Sequence, residues 1–276
     1  MDVKPLGGAL GAEIVGVDIR DPSDSEVADI YATLLDHEVV FFRDTKIDDD
    51  QHLAFAGRFG TPSVFPLSAV MGETEPSFQV IADGPDSEPA TDYWHTDVTW
   101  IAEPPHAAFL RATIVPDHGG DTMWGSMTAA YDALSPAVQD FLSGLRVRHD
   151  NTSFIEGMID KLGEEMARPL AQKLREAYPS VEHPLIRTHS ETGRKAIFFG
   201  GGFMREILGL TSSESDAILD FLRRHIDQPI FHARWRWTLG DLALWDQRST
   251  VHRGLADHFP RKREVRRCVI DGDRPS

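Results

Sequence analysis

Cysteine is almost absent from this chain. Cys268 is the only one among 276 residues, which excludes an intrachain disulfide and a thiolate zinc cluster. No apolar run is long enough to span a bilayer, and the N-terminal Met1-Asp2-Val3-Lys4-Pro5 lacks a basic-then-apolar signal pattern. The expectation is therefore a cytoplasmic protein without membrane partners. Basic residues are also in deficit: 28 Lys and Arg stand against 44 Asp and Glu, for a formal charge of −16. Nucleic acids and anionic membranes are attracted by a positive field, so neither is expected as a generic partner. A few local arginines can still overrule the global field for a small anion. Missing too are a GxGxxG turn between strand and helix and a GxxxxGK[ST] loop, which leaves dinucleotide and P-loop readings without support.

The chain is 41% hydrophobic, enough for one sizeable core, and residues 1–276 read as a single domain. Residues 24–37 put Val27, Ile30, Tyr31, Leu34 and Leu35 on one helical face. Residues 48–59 and 212–226 also read as helices, and Thr128–Leu134 and Pro136–Leu145 as a helical pair. Short strands are expected at Ala12–Val17, Val39–Phe42, Ala107–Val115, Leu185–His189, Ala196–Phe199, Phe231–Trp237, Leu242–Trp245 and Val265–Ile270. From Phe65 to Ala90 the pattern weakens, and the Gly, Pro and acidic residues at 83–90 read as an exposed, mobile loop. Residues 150–180 are charged and periodic and read as an inserted lid. Strands spread along the chain, with helices grouped at the front and in insertions, predict a mainly β (α+β) fold. The expected form is a double-sheet sandwich or jelly roll with helical decoration.

The densest chemical signal is Tyr93-Trp94-His95-Thr96-Asp97-Val98-Thr99-Trp100. On a strand, residues two apart share a face, so His95 and Asp97 would present an imidazole and a carboxylate side by side. With a second histidine this set leaves positions open on Fe(II) for a co-substrate and O2. A bare His-x-Asp is common, and a buried histidine beside a helix-capping aspartate would look the same. His252, in a polar loop after the strand ending at Trp245, is the candidate third ligand. His118, His232 and His258 also neighbour apolar strands or the arginine cluster, and spacing does not choose among them. His37, His52, His106, His149, His183, His189 and His225 fall in helices, turns or exposed stretches.

Beyond His252 lies Arg261-Lys262-Arg263-Glu264-Val265-Arg266-Arg267, a basic cluster in an acidic protein. On a strand Arg263, Val265 and Arg267 share one face. Two inward arginines would be costly without anions to pair with, and guanidinium suits carboxylate or sulfonate. A solvated basic tail is the plainer alternative. Gly119-Gly120-Asp121-Thr122 reads as a tight turn into a strand, where Thr122 could donate to an anion.

Taken together, these blocks resemble the TauD/TfdA family of Fe(II)- and 2-oxoglutarate-dependent dioxygenases. The resemblance rests on Gly11-Ala12-Glu13-Ile14, Trp94-His95-Thr96-Asp97, Gly119-Gly120-Asp121-Thr122, Arg234-Trp235-Arg236-Trp237, Trp245-Asp246-Gln247-Arg248 and the Arg263–Arg267 tail, in family order across nearly the whole chain. It implies a double-stranded β-helix, with His95, Asp97 and His252 as iron ligands. It implies that Thr122 and Arg263 bind the distal carboxylate of 2-oxoglutarate, that Arg267 anchors the substrate anion, and that Val98 lines the substrate pocket. It also implies a homo-oligomer, dimer or tetramer. The chain departs from a taurine enzyme of the family by carrying Thr91 in place of Asn. It carries Phe65 and Ser68 where that enzyme has His and Tyr, and Phe154 (or Ile155) at the lid aromatic. A pocket that loses hydrogen-bonding groups should fit a less polar substrate.

The expected activity is hydroxylation of a small anionic organic substrate, a sulfonate or alkyl sulfate, with Fe(II), 2-oxoglutarate and O2, releasing succinate and CO2. The alternatives are a carboxylate substrate such as an aryloxy acid, or a cupin-like metal-binding protein without turnover. A zinc hydrolase is disfavoured, because no general-base Glu stands beside the motif.

Overall fold

The computed structural model describes residues 1–276. Its strands are β1 (Asp2–Pro5), β2 (Ala12–Val15), β3 (Val39–Phe42), β4 (Gln79–Asp83), β5 (Ala107–Ile114), β6 (Thr122–Ser126), β7 (Arg146–His149), β8 (Val181–Pro184), β9 (Ile186–Thr188), β10 (Lys195–Ile197), β11 (Met204–Ile207), β12 (His232–Trp235), β13 (Leu242–Asp246), β14 (Thr250–Gly254) and β15 (Arg263–Ile270). Its helices are α1 (Asp24–His37), α2 (Asp49–Ala56), α3 (Pro66–Val70), α4 (Met127–Asp132), α5 (Pro136–Ser143), α6 (Thr152–Leu162), α7 (Glu164–Ala177) and α8 (Ser212–Ile226). No helix is long and apolar enough to cross a membrane.

Local chemistry sets the helix starts. Ser23 and Glu26 form a capping box on α1, Asp48 and Gln51 on α2, and Thr211 and Glu214 on α8, each satisfying amide donors that the first turn leaves free.

A seven-stranded sheet runs in the order β1-β2-β3-β13-β5-β15-β4, with β2 and β3 parallel and the other pairs antiparallel. A three-stranded sheet, β12-β6-β14, faces it. Between the two lies a core of Val39, Phe41, Leu110, Trp245 and Val265 from the large sheet with Trp124 and Trp235 from the small one. Phe41 stacks on Trp235 at 4.1 Å between ring centroids. The opposite face of the large sheet buries Val40, Phe42, Phe109, Leu242, Leu244 and Ile270 under α1 and α2. This alternation follows from the two-residue period of strands.

Several expectations need correction. The stretch 65–90 is not a loop throughout: it holds α3 and the edge strand β4, hydrogen-bonded to β15. In keeping with its periodicity, the segment 150–180 forms α6 and α7, which pack with α3 around Val98, Trp100, Ile155 and Phe203. His252 stands on β14 rather than in a loop. His52, His149, His183 and His189 are buried, not exposed.

Candidate metal centre and anion-binding site

The segment carrying His95 and Asp97 is not a strand. Only His95 pairs, in an isolated antiparallel bridge with His252. The His95 amide donates to the His252 carbonyl at 3.1 Å, and the His252 amide donates to the His95 carbonyl at 2.9 Å. The chain then turns at Asp97–Trp100, with Val98 at φ 54°. A β-branched residue in the left-handed region is strained by about 1–3 kcal/mol. The turn is held from behind. The Asp97 amide donates to Gln247 Oε1 at 3.0 Å, and Thr96 Oγ1 donates to the Thr250 carbonyl at 2.9 Å. His183 Nε2 lies 3.0 Å from the Thr99 carbonyl, and His149 Nδ1 lies 2.9 Å from Thr99 Oγ1. Gly201 is required here, because a Cβ on it would sit 2.4 Å from the Trp94 carbonyl.

This scaffold brings one ligand atom each from His95, Asp97 and His252 to within 4.8 Å of one another, all three residues being buried. His95 Nε2 is 3.8 Å from Asp97 Oδ1, and His252 Nε2 is 3.7 Å from Asp97 Oδ2. His95 Nδ1 donates to the Tyr93 carbonyl at 2.8 Å, which leaves the Nε2 lone pair for a metal. Burial holds both imidazoles below their ordinary range, His252 down to about 3, so both are neutral ligands at neutral pH. Burial opposes ionisation of Asp97, yet the Arg267 guanidinium beside it holds the carboxyl below its usual range. Asp97 Oδ2 is buried without a hydrogen-bond partner. An orphaned carboxylate oxygen facing two neutral imidazoles fits a divalent cation.

The two expected arginines stand beside this centre. Arg263 Nε donates to the Gly120 carbonyl at 2.8 Å and Nη2 to Thr122 Oγ1 at 3.2 Å. Trp237 Nε1 also donates to Thr122 Oγ1, at 3.0 Å. With two donors already on its oxygen, the Thr122 hydroxyl has its own proton left to give. Arg267 Nη1 donates to Asp97 Oδ1, and Nη2 to Gln79 Oε1. A small cavity is lined by Thr91, His95, Thr122, His252, Arg263 and Arg267 together with apolar side chains from β4, β5 and β15. A wider cleft lies elsewhere, along Glu13–Arg20 and Phe42–Lys46, and contains no comparable set of ligands.

Among the remaining candidates, Phe65 lies 5.9 Å from the Arg267 guanidinium carbon and meets Phe154 edge-on at 5.7 Å. Val98 is buried among Trp100, Ile155 and Phe203. Ser68 is on α3, outside the cavity wall, where its carbonyl accepts from Met71 and Glu73. The other three histidines left open by spacing are separate from the centre: His118 is exposed before β6, His232 packs on Trp94, and His258 lies 3.4 Å from Asp83. Sequence reasoning missed Gln79, Asp83 and Gln247 as neighbours of the site. Gln247 had a signal, the Trp-Asp-Gln-Arg block; the β4 residues had none.

Two imidazoles and a carboxylate around an open coordination face form the donor set of non-haem Fe(II) oxygenases. Comparison with known proteins narrows that class. The family model described as "Taurine catabolism dioxygenase TauD, TfdA family" matches residues 2–269. An alpha-ketoglutarate-dependent sulfate ester dioxygenase of Pseudomonas putida is 33% identical, over 100% of this chain and 91% of its own length. An alpha-ketoglutarate-dependent 2,4-dichlorophenoxyacetate dioxygenase of Cupriavidus pinatubonensis is 32% identical, over 98% of this chain and 97% of its own. The crystal structure of a taurine dioxygenase from Burkholderia xenovorans superposes with a TM-score of 0.82 at 35% identity, covering 99% of this chain and 92% of that one. The chain belongs to the TauD/TfdA family and is a 2-oxoglutarate-dependent dioxygenase, using Fe(II) and O2.

Proposed function

We propose that this enzyme hydroxylates a small organic anion with an apolar body, an alkyl sulfate or sulfonate, at a carbon next to the anionic head. The observation that supports this reading most directly is the placement of Arg263 and Arg267 on one face of β15, beside His95, Asp97 and His252. His95, Asp97 and His252 hold the metal. Arg263 and Thr122 bind the distal carboxylate of 2-oxoglutarate. Arg267 anchors the substrate anion. Phe65, Phe154 and Val98 form the apolar wall, and Thr91 borders the cavity near Thr122. Ser68, like Phe65, Phe154 and Val98, stands outside the lining of the small cavity, and its hydrogen bonds are backbone ones. The two facing sheets are read as the double-stranded β-helix, and residues 1–276 as one domain. The protein works as a cytoplasmic homo-oligomer, without nucleic-acid or membrane partners.

Held by His95, Asp97 and His252, Fe(II) would supply, with 2-oxoglutarate and O2, the oxidant for a C–H bond, with succinate and CO2 as co-products. The chain's own task is placement. Arg267 fixes the head of the substrate, so the adjacent carbon is the one brought to the metal. The aromatic wall excludes water from that carbon. Hydroxylation beside a sulfate ester oxygen gives a product that collapses to an aldehyde and inorganic sulfate.

The test is Fe(II)-dependent succinate release across alkyl sulfates, alkanesulfonates and aryloxyacetates, with ascorbate and O2. Stimulation by an alkyl sulfate or sulfonate is expected. Stimulation by aryloxyacetates alone would replace the substrate reading with the carboxylate one. No stimulation by any of these acids would place the substrate outside the three anion classes.

A further inference from the structure

The edge strand β4 has a register that matters for both arginines. Against β15, Asp83 faces Arg263, Ile81 faces Val265 and Gln79 faces Arg267. Ile81 packs against the inter-sheet core, so β4 presents Gln79 and Asp83 on the same side, toward the two arginines. The partners differ in charge. Asp83 Oδ2 lies 3.8 Å from Arg263 Nη1 and 3.4 Å from His258 Nε2. Arg267 receives an uncharged amide oxygen instead, from Gln79.

The difference has a chemical consequence. Arg267 already donates to the carboxylate of Asp97, and those two charges cancel. A second carboxylate at position 79 would lower the charge of the site by one and weaken its pull on an incoming anion. An amide holds the guanidinium by a hydrogen bond without spending its charge. Because guanidinium offers only donors, the Gln79 amide must turn its oxygen to Arg267, which frees its NH2 group. That group makes no other hydrogen bond in the structure and is left as a spare donor beside Arg267.

We infer that Gln79 is a specificity-determining residue for the anionic end of the substrate: its amide oxygen orients Arg267, its neutrality keeps the site open to an anion, and its NH2 group adds a donor. The inference rests on Arg267 as the substrate anchor, proposed above. Gln79 is half-buried on an edge strand, so changing it should leave the fold intact.

The experiment titrates Fe(II)- and 2-oxoglutarate-loaded protein, without O2, with hexyl sulfate, hexane-1-sulfonate and heptanoate. Wild-type protein is expected to bind at least one of them. Gln79→Glu should weaken that binding roughly thirtyfold by like-charge repulsion. Gln79→Met, which removes a neutral hydrogen bond without adding charge, should weaken it roughly three- to tenfold. In both variants affinity for 2-oxoglutarate should stay within about twofold of wild type, because Arg263 and Thr122 are untouched. A parallel loss of 2-oxoglutarate affinity would reduce Gln79 to a structural residue. Arg267→Met separates the two readings. Unchanged anion binding in Arg267→Met, or none in wild type, overturns the anchor itself. Loss in Arg267→Met without loss in Gln79→Glu overturns the role of Gln79 alone.

Discussion

The two faces of the seven-stranded sheet are built from the same strands and do different work. β15 shows both in one run. Arg263, Val265 and Arg267 look toward the smaller sheet and the metal-binding residues, while Cys268 and Ile270 belong to the cluster beneath α1 and α2. The outer face is mostly apolar, but it also holds the Arg111 guanidinium, which donates to the Ile47 carbonyl and Asp49, and it packs on His52, which is fully buried against Phe78 and Phe109 with Nδ1 unpartnered. Cys268 lies within this layer, where burial pushes its thiol up to about 12 and leaves it unreactive at neutral pH. The inner face buries guanidinium groups, paired with Asp97, Gln79, Thr122 and Gly120. Buried ion pairs add little net stability, whereas apolar burial is the main favourable contribution to folding. Both faces therefore hold the fold together through apolar clusters, and the inner one also positions the chemistry.

That division can be tested from either side. The largest effect is expected at the inner face: His95→Ala should lower Fe(II)-dependent succinate formation by at least about a thousandfold, with stoichiometric iron binding lost and the urea midpoint little changed. Retained iron and turnover would remove His95 from the ligand set. On the outer face, Phe109→Ala should cost about 3–5 kcal/mol in urea unfolding, the usual range for a buried aromatic. Its folded fraction should keep the wild-type KM for 2-oxoglutarate; a raised KM would show that the faces are coupled. The smallest effect concerns pH. Burial, aided by Arg111, holds the His52 imidazole down to about 3, against 6.5 for an unburied one. The unfolded chain therefore takes up a proton below about 6.5 that the folded chain refuses, and stability falls as pH drops from there toward about 3. The slope from this one group is about 1.4 kcal/mol per pH unit, and His52→Leu should remove it. Equal slopes in the two proteins between pH 6 and about 4 would contradict a buried neutral imidazole.

The outer face was legible because apolar periodicity is the strongest signal a sequence carries: α1, β3 and β13 fall where Val27, Val39–Phe42 and Leu242–Trp245 put them. The inner arginines were legible only together with the metal motif and the family order of the blocks, because a solvated basic tail would show the same Arg-x-Val-x-Arg run. The metal turn was misread. His-x-Asp followed by Val98 favours a strand on β-propensity, and nothing in the residue type signals that Val98 takes φ 54°. β14 was hidden because Thr250–Gly254 is too polar to look like a strand; its pairing with β6 decides it. β4 was hidden for a similar reason: an edge strand shows one face to solvent, and Gly, Pro and acidic residues follow it. His149 and His183 could not be recognised as buried, because their partners at Thr99 are 50 and 84 residues away.

The backbone bridge between His95 and His252 bears on the lifetime of the site. Segments far apart in the chain meet there through two reciprocal amide bonds, so the two imidazoles cannot drift apart without local unfolding of both. Hydrogen exchange reports such openings directly: the amide protons of His95 and His252 should exchange in step, and a bound cation should slow both together. The donor set then persists between metal-binding events for as long as that single patch of ladder stays closed.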